Sequence, residues 1–177
     1  MNIPNKLTVF RIILVPVFVV LILLKIPYSG TLAAIIFMIA ALTDSLDGYL
    51  ARKWKQTTKL GAILDPLADK LLITAALISL VELGRLQGWI AIIIIGREFA
   101  VTGLRAVKAE EGIIIPASKL GKIKTISQVI AVLIIMLQNY CKPLAYIHLG
   151  EWAIYIALII TVVSGIEYFV KNKIPLG

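Results

Sequence analysis

The chain has 177 residues, of which 60% are hydrophobic and 16% charged, and its 18 Lys and Arg outnumber 10 Asp and Glu to give +8. With a mean hydropathy of +0.96, this excludes an ordinary water-soluble domain, where about 25% of residues are charged, and it excludes disorder, which needs low hydrophobicity. A single cysteine, Cys141, excludes a disulfide-built secreted domain, modest Gly and Pro counts exclude a collagenous or low-complexity chain, and what remains is a small all-α integral membrane protein.

A bilayer core takes about 20 apolar residues per helix. Six segments qualify, at 6–24, 31–51, 61–82, 88–108, 120–139 and 149–170. They predict one six-helix membrane domain over residues 1–177, with no soluble domain, linker or repeat. The segments are too long and too apolar for barrel strands. The first opens amphipathically, with Lys6 and Arg11 among apolar neighbours, which suits an interfacial start. Pro16 is placed to bend it. Its apolar run lacks a small-residue cleavage site, so no cleavable signal peptide is expected. The second span ends with Asp44, Asp47 and Arg52, and the third opens with Asp65, Pro66 and Asp69. The fourth carries Gly96, Arg97, Glu98 and Phe99, then Arg105; the fifth opens with Ser118, Lys119, Gly121, Lys122, Lys124 and Thr125. Cys141 and His148 are single residues away from this charged cluster and read as structural or interfacial. The final segment 174–177 carries no motif.

Charge gives the orientation. The loops after spans 1, 3 and 5 hold only Lys25, Arg85 and Lys142, whereas the other side holds Lys6, Arg52, Lys53, Lys55, Lys59, Lys108, Lys119, Lys171 and Lys173. The positive-inside rule places both termini and the loops after spans 2 and 4 in the cytoplasm. The basic excess then reads as loops facing the cytoplasm and anionic lipid. Nucleic acid is not expected as a partner, since no soluble domain is present to bind it.

The carboxylates are the informative residues. Asp44, Asp47, Asp65 and Asp69 are all the aspartates of the chain, and all four fall in the cytoplasmic portions of spans 2 and 3. One ionised residue at membrane depth costs at least about 2.5–3.5 kcal/mol, so four together need neutralising. Asp44 and Asp47 are three residues apart and Asp65 and Asp69 four apart, so each pair shares one helix face. The two spans are consecutive, and their acidic faces can meet. An all-oxygen set of this kind suits Mg²⁺ or Mn²⁺. Two ions sharing carboxylates would balance the charge and clamp an in-line phosphoryl displacement. Gly48, Ala51 and Gly61 leave room beside the acids for a bulky ligand, or serve helix packing. Arg52 can reach a diphosphate bidentately. Pro66 is placed to loosen its helix and free backbone carbonyls. The competing readings are buried salt bridges to Lys70, Arg97 and Arg52, and a transit site in a divalent-cation transporter. Pairing does not explain why every aspartate gathers in one place. A transporter needs a path to both faces, and the outer half holds only Glu82 and Glu151.

In their spacing, Asp44, Asp47, Gly48, Ala51, Arg52, Gly61, Asp65 and Asp69 resemble the signature of the CDP-alcohol phosphotransferases, eight fixed positions over 26 residues. The resemblance covers essentially the whole chain. It implies an Mg²⁺- or Mn²⁺-dependent enzyme that moves a substituted phosphate from a CDP-linked alcohol to a second alcohol and releases CMP. It also implies that Asp44, Asp47 and Asp65 hold one ion and that Asp44, Asp65 and Asp69 hold the other. Asp69 would serve as general base, and Gly48, Ala51, Arg52 and Gly61 would border the CDP. The family commonly forms homodimers. The chemistry agrees: an alcohol is a poor nucleophile at neutral pH, so a base or a metal must help remove its proton.

The other intramembrane cations are functional candidates by default. Arg97 and Arg105, eight residues apart, fall near one face, and with Lys122 or Lys124 they suit a phosphomonoester dianion. Glu98 can orient an arginine or bind acceptor hydroxyls. Snorkelling at the cytoplasmic end is the plainer reading for Lys119, Lys171 and Lys173, and an Arg97–Glu98 pair that merely stabilises the span competes for those two. Two segments resemble the family's bacterial glycerol 3-phosphate branch: Asn2 to Thr8 with Arg11, and Gly96 through Arg105 to Lys119–Thr125. That likeness implies a CDP-diacylglycerol donor, with Asn5 and Thr8 near its nucleotide, although Pro4, Asn5 and Thr8 also read as helix-start residues. It implies sn-glycerol 3-phosphate as acceptor, on Arg105, Lys122, Arg97 and Lys124, in a multi-pass bacterial cell-membrane protein. Inositol 1-phosphate would use the same cations; serine would need fewer.

Overall fold

The computed structural model describes residues 3–24, 26–54, 59–113, 115–116, 118–138 and 148–172, and for 3–5, 44–54, 59–63 and 65–66 it describes the backbone only. Cys141 and residues 174–177 lie outside the described residues. Among those described, the chain is all helix, with six helices and no strand. They are α1 Ile3–Leu23, α2 Ser29–Trp54, α3 Lys59–Glu82, α4 Gly88–Glu110, α5 Lys119–Leu137 and α6 Leu149–Lys171. Each corresponds to one expected span, and the differences lie at the ends. Helix α2 continues to Trp54 because Ala, Arg and Lys are good helix formers even where the chain is no longer apolar. Helix α1 runs through Pro16 as one helix. Helix α5 starts at a cap, where the Ser118 hydroxyl accepts from the Gly121 amide at 2.9 Å, satisfying one of the helix's free N–H groups.

Among the described residues, Lys6–Leu23, Lys119–Leu137 and Leu149–Lys171 are long and apolar enough to cross a membrane. Helices α2, α3 and α4, of 26, 24 and 23 residues, are equally long but carry the charged residues. Large apolar side chains stay on the surface, among them Ile92 at 72% and Ile159 at 62% exposure. Lipid satisfies such surfaces where water would not, and the protein is membrane-associated.

The chain divides into two compact units, Met1–Arg85 and Leu86–Gly177. In the first, α1 packs on both α2 and α3, and α2 also touches α3. Ala33, Ala34 and Ala40 on α2 are buried, and small residues of this kind let helix backbones approach. The rings of Phe18 and Phe37 meet at 5.7 Å. In the second unit, α6 packs on both α5 and α4. The start of α6 comes so close to the end of α5 that a Cβ on Gly150 would lie 2.9 Å from Ile135 Cγ1, and the Gly150 amide donates to Gln138 Oε1 at 3.2 Å. Trp89 and Tyr155 meet at 6.4 Å near the starts of α4 and α6. His148 precedes α6 in a left-handed conformation and is exposed, its Nδ1 3.1 Å from Glu151 Oε1.

Candidate active site

Short links, residues 24–28 and 55–58, make successive helices of the first unit antiparallel. The start of α1, the end of α2 and the start of α3 therefore share one end of that unit. Measured from it at 1.5 Å per residue, Arg11, Asp44, Asp47, Asp65 and Asp69 all fall about 9–15 Å along their helices. The four aspartates thus occupy one level of two helices that touch. The side chains of Asn5, Asp44, Asp47, Gly48, Ala51, Arg52, Gly61 and Asp65 lie outside the described ones. Asp69 and Lys70 are half-buried, and neither lacks a partner. A set of four carboxylates, with the chain's only His and Cys far along the sequence, fits a hard divalent cation in its donor chemistry.

Helix α1 contributes two polar residues that its apolar sequence would not lead one to bury. Thr8 and Arg11 are both 0% exposed, and both are engaged by partners. Thr8 was expected near the donor nucleotide. Arg11 appears in the sequence as one cation in an apolar run, and its full burial at the level of the aspartates emerges only with the fold. A charge eight residues inside an otherwise largely apolar helix was the available signal.

The second unit gathers the opposite charge. Arg97 and Glu98 on α4 and Lys124 on α5 form a buried network: Lys124 Nζ donates to Glu98 Oε1, and Arg97 donates to the same oxygen at 3.4 Å. Arg97 also donates to the Ser164 hydroxyl of α6 at 2.6 Å. Its guanidinium carbon lies 5.9 Å from the centre of the Tyr168 ring, within cation–π range. Two cations share one carboxylate oxygen in this cluster. Glu98 thus holds two of the four candidate acceptor cations together. The other two are on the surface. Lys122 is exposed on α5, and Arg105 is exposed and donates to the Ile115 carbonyl at 3.3 Å. The link between α4 and α5 is held further where Ile115 packs with Val101, Leu104 and Tyr168. Lys108 donates to Glu111 at 2.7 Å on the same link. Ser164, Gly165 and Tyr168 went unremarked in the sequence. The only local sign was the set of small and polar residues near the end of an otherwise apolar helix.

The profile of the CDP-alcohol phosphatidyltransferase family matches residues 1–163, across both units. Three curated relatives align over 97% of this chain, and all three are named CDP-diacylglycerol–glycerol-3-phosphate 3-phosphatidyltransferase. They are from Bacillus subtilis, 46% identical with 95% of the relative covered, Haemophilus influenzae, 47% identical with 94% covered, and Rickettsia bellii, 37% identical with 96% covered. With its aspartates on one level of two touching helices and its length matched almost throughout, the chain belongs to the CDP-alcohol phosphatidyltransferase family of enzymes.

Proposed function

We propose that this chain transfers the phosphatidyl group of CDP-diacylglycerol to sn-glycerol 3-phosphate, giving phosphatidylglycerol phosphate and CMP. The observation that carries the proposal is 46% and 47% identity, over 97% of the chain, to two relatives named for that reaction. The enzyme works as one six-span membrane domain of the bacterial plasma membrane, with both termini and the active site on the cytoplasmic side. The loop charges support that orientation. The family profile runs through both compact units, which supports reading them as one domain. The assembly proposed is a homodimer, tested by the mass of the detergent-solubilised particle.

Asp44, Asp47, Asp65 and Asp69 would hold two divalent ions, Mg²⁺ or Mn²⁺. Asp44, Asp47 and Asp65 would ligate one, and Asp44, Asp65 and Asp69 the other. Bound there, the ions offset charge on the diphosphate and on the departing CMP. Asp69 accepts the proton of the attacking glycerol 3-phosphate hydroxyl. The freed oxygen bonds to the phosphorus of the phosphatidyl group, and the bond from that phosphorus to CMP breaks. Arg52 adds a bidentate cation to the diphosphate. Asn5, Thr8, Gly48, Ala51 and Gly61 border the CDP, while the acyl chains stay in lipid. The acceptor's phosphate is held by Arg105 and Lys122 at the surface and by Arg97 and Lys124 deeper in. A guanidinium has five N–H donors, so Arg97 has more donors than the two it gives to Glu98 and Ser164.

The test is CMP release by the purified protein from CDP-diacylglycerol, with Mg²⁺ or Mn²⁺, across a panel of acceptors. Turnover is expected with glycerol 3-phosphate. Equal or faster turnover with inositol 1-phosphate or serine overturns the acceptor. Metal transport into vesicles without CMP release would instead support the transporter reading.

A further inference from the structure

We propose that Ser164, Gly165 and Tyr168 on α6 form a cradle that positions Arg97 and the α4–α5 link for the acceptor's phosphate. The proposal rests on the acceptor reading above and extends it to a helix that supplies none of the residues assigned there.

Three independent contacts define the cradle. First, the Ser164 hydroxyl accepts from Arg97 at 2.6 Å. Second, Gly165 supplies a hollow: a Cβ there would lie 3.0 Å from Arg97 Cγ and 3.4 Å from its Nε, so any side chain would push the arginine stem away. Third, the Tyr168 ring lies under the guanidinium at 5.9 Å. Residues 164, 165 and 168 follow the i, i+1, i+4 pattern of one helical face. The arginine is held at its stem, its fork and its flat side. Its Nε is buried and has no hydrogen-bond partner. A buried donor left unmet costs stability, a cost that the contacts to Ser164 and Tyr168 must offset.

Tyr168 has a second role. Its hydroxyl donates to the Pro116 carbonyl at 2.9 Å and accepts from the Ser118 amide at 3.2 Å. Ser118 caps α5, and Lys122 lies one turn further on. One side chain therefore ties the deep cation to the segment that begins the lysine-bearing helix. The Arg105 contact with Ile115 holds the same link from α4. Through Tyr168, the spacing between deep and surface cations is set by α6. These are positioning residues, acting through Arg97 and the link.

The variants are Tyr168→Phe, which keeps the ring and removes both hydrogen bonds, and Ser164→Ala, which removes the Arg97 acceptor. Both are near-isosteric, so the helix is kept, and thermal unfolding in detergent checks that. With two bonds or one lost, the KM for the acceptor is expected to rise about fivefold to tenfold. Under the same conditions kcat and the CDP-diacylglycerol KM should stay within about twofold. Exchange of the Ser118 amide should speed up in Tyr168→Phe alone. An unchanged acceptor KM in both variants overturns the cradle, as does an equal rise in both substrates' KM. The wild-type acceptor panel judges the acceptor reading separately. If inositol 1-phosphate is the best acceptor, the acceptor reading falls and the cradle is judged by that compound's KM ratio. A panel won by serine, which has no phosphate, overturns both.

Discussion

The two halves of the chain treat buried charge in opposite ways. Residues 1–85 contain every aspartate, with like charges three and four residues apart on α2 and α3. Residues 86–177 contain none, and Glu98, the one buried acid among the described side chains, bonds to two cations. Like charges at such spacings repel each other on a helix, so gathering them carries a cost that countercharge must offset. Interleaved opposite charges hold each other in place. The first arrangement has the donor chemistry of a divalent-cation site, and the second is a scaffold that holds Arg97 and Lys124 in place.

The comparison breaks most sharply at Asp69. Asp69→Asn removes the proposed base while keeping the shape of the side chain. Turnover should fall by about 10²- to 10⁴-fold, while CDP-diacylglycerol binding, followed by its protection against thermal unfolding, largely survives. A chelator should produce the same loss in the wild type, and added Mg²⁺ or Mn²⁺ should restore it. An Asp69→Asn protein with full activity refutes the base.

The corresponding change in the second half should first harm stability. Glu98→Gln leaves Arg97 and Lys124 buried without their shared carboxylate, and breaking a buried ion pair from one side costs about 3–5 kcal/mol. The thermal midpoint in detergent should fall by several degrees, and Arg97→Met combined with Lys124→Met should recover much of it in the Glu98→Gln background. A Glu98→Gln protein that melts with the wild type would mean that the network is not the scaffold described above.

Arg105 sharpens the contrast between deep and surface cations. Arg105→Ala should raise the acceptor KM about tenfold, the value of one charge-assisted hydrogen bond, with little change in the donor KM. An effect on the donor alone would move Arg105 to the nucleotide side. Because Arg105 is exposed and gives only a 3.3 Å bond to the Ile115 carbonyl, the stability loss should be smaller than for Glu98→Gln.

Much of this was legible in the sequence, for a physical reason. In lipid a spanning segment must satisfy its own backbone, so long apolar segments predict helices, and six helices are found among the described residues. The ends were less legible, since a helix does not stop where apolarity stops, as the extra turn of α2 through Arg52 and Trp54 illustrates. The aspartates were legible because charges are scarce in such a chain and their placement stands out. The cradle was not. A Ser, a Gly and a Tyr in an apolar helix read as packing or interface residues, and the Ser164 contact with Arg97 joins positions 67 apart. Arg11 shows the same limit in α1. Its charge is visible in the sequence, but its complete burial depends on how α1 packs against α2 and α3.

The smallest expected effect lies on the same helix as the cradle, one turn beyond Glu167. Lys171 donates to Glu167 at 2.5 Å, a contact shorter than the Arg97–Glu98 pair, yet its side chain is 69% exposed. If distance alone set the value of an ion pair, Lys171→Ala would be about as damaging as a change in the Glu98 network. Solvent screening and the loss of side-chain freedom argue otherwise, and exposed pairs of this kind contribute about 0–1 kcal/mol. Some of that is the favourable position of a cation at a helix C-terminus. Lys171→Ala should therefore shift the thermal midpoint by no more than a degree or two and leave both KM values unchanged, and its small effect should shrink further in high salt. A loss matching Glu98→Gln would make burial the wrong variable for ranking the ion pairs of this chain.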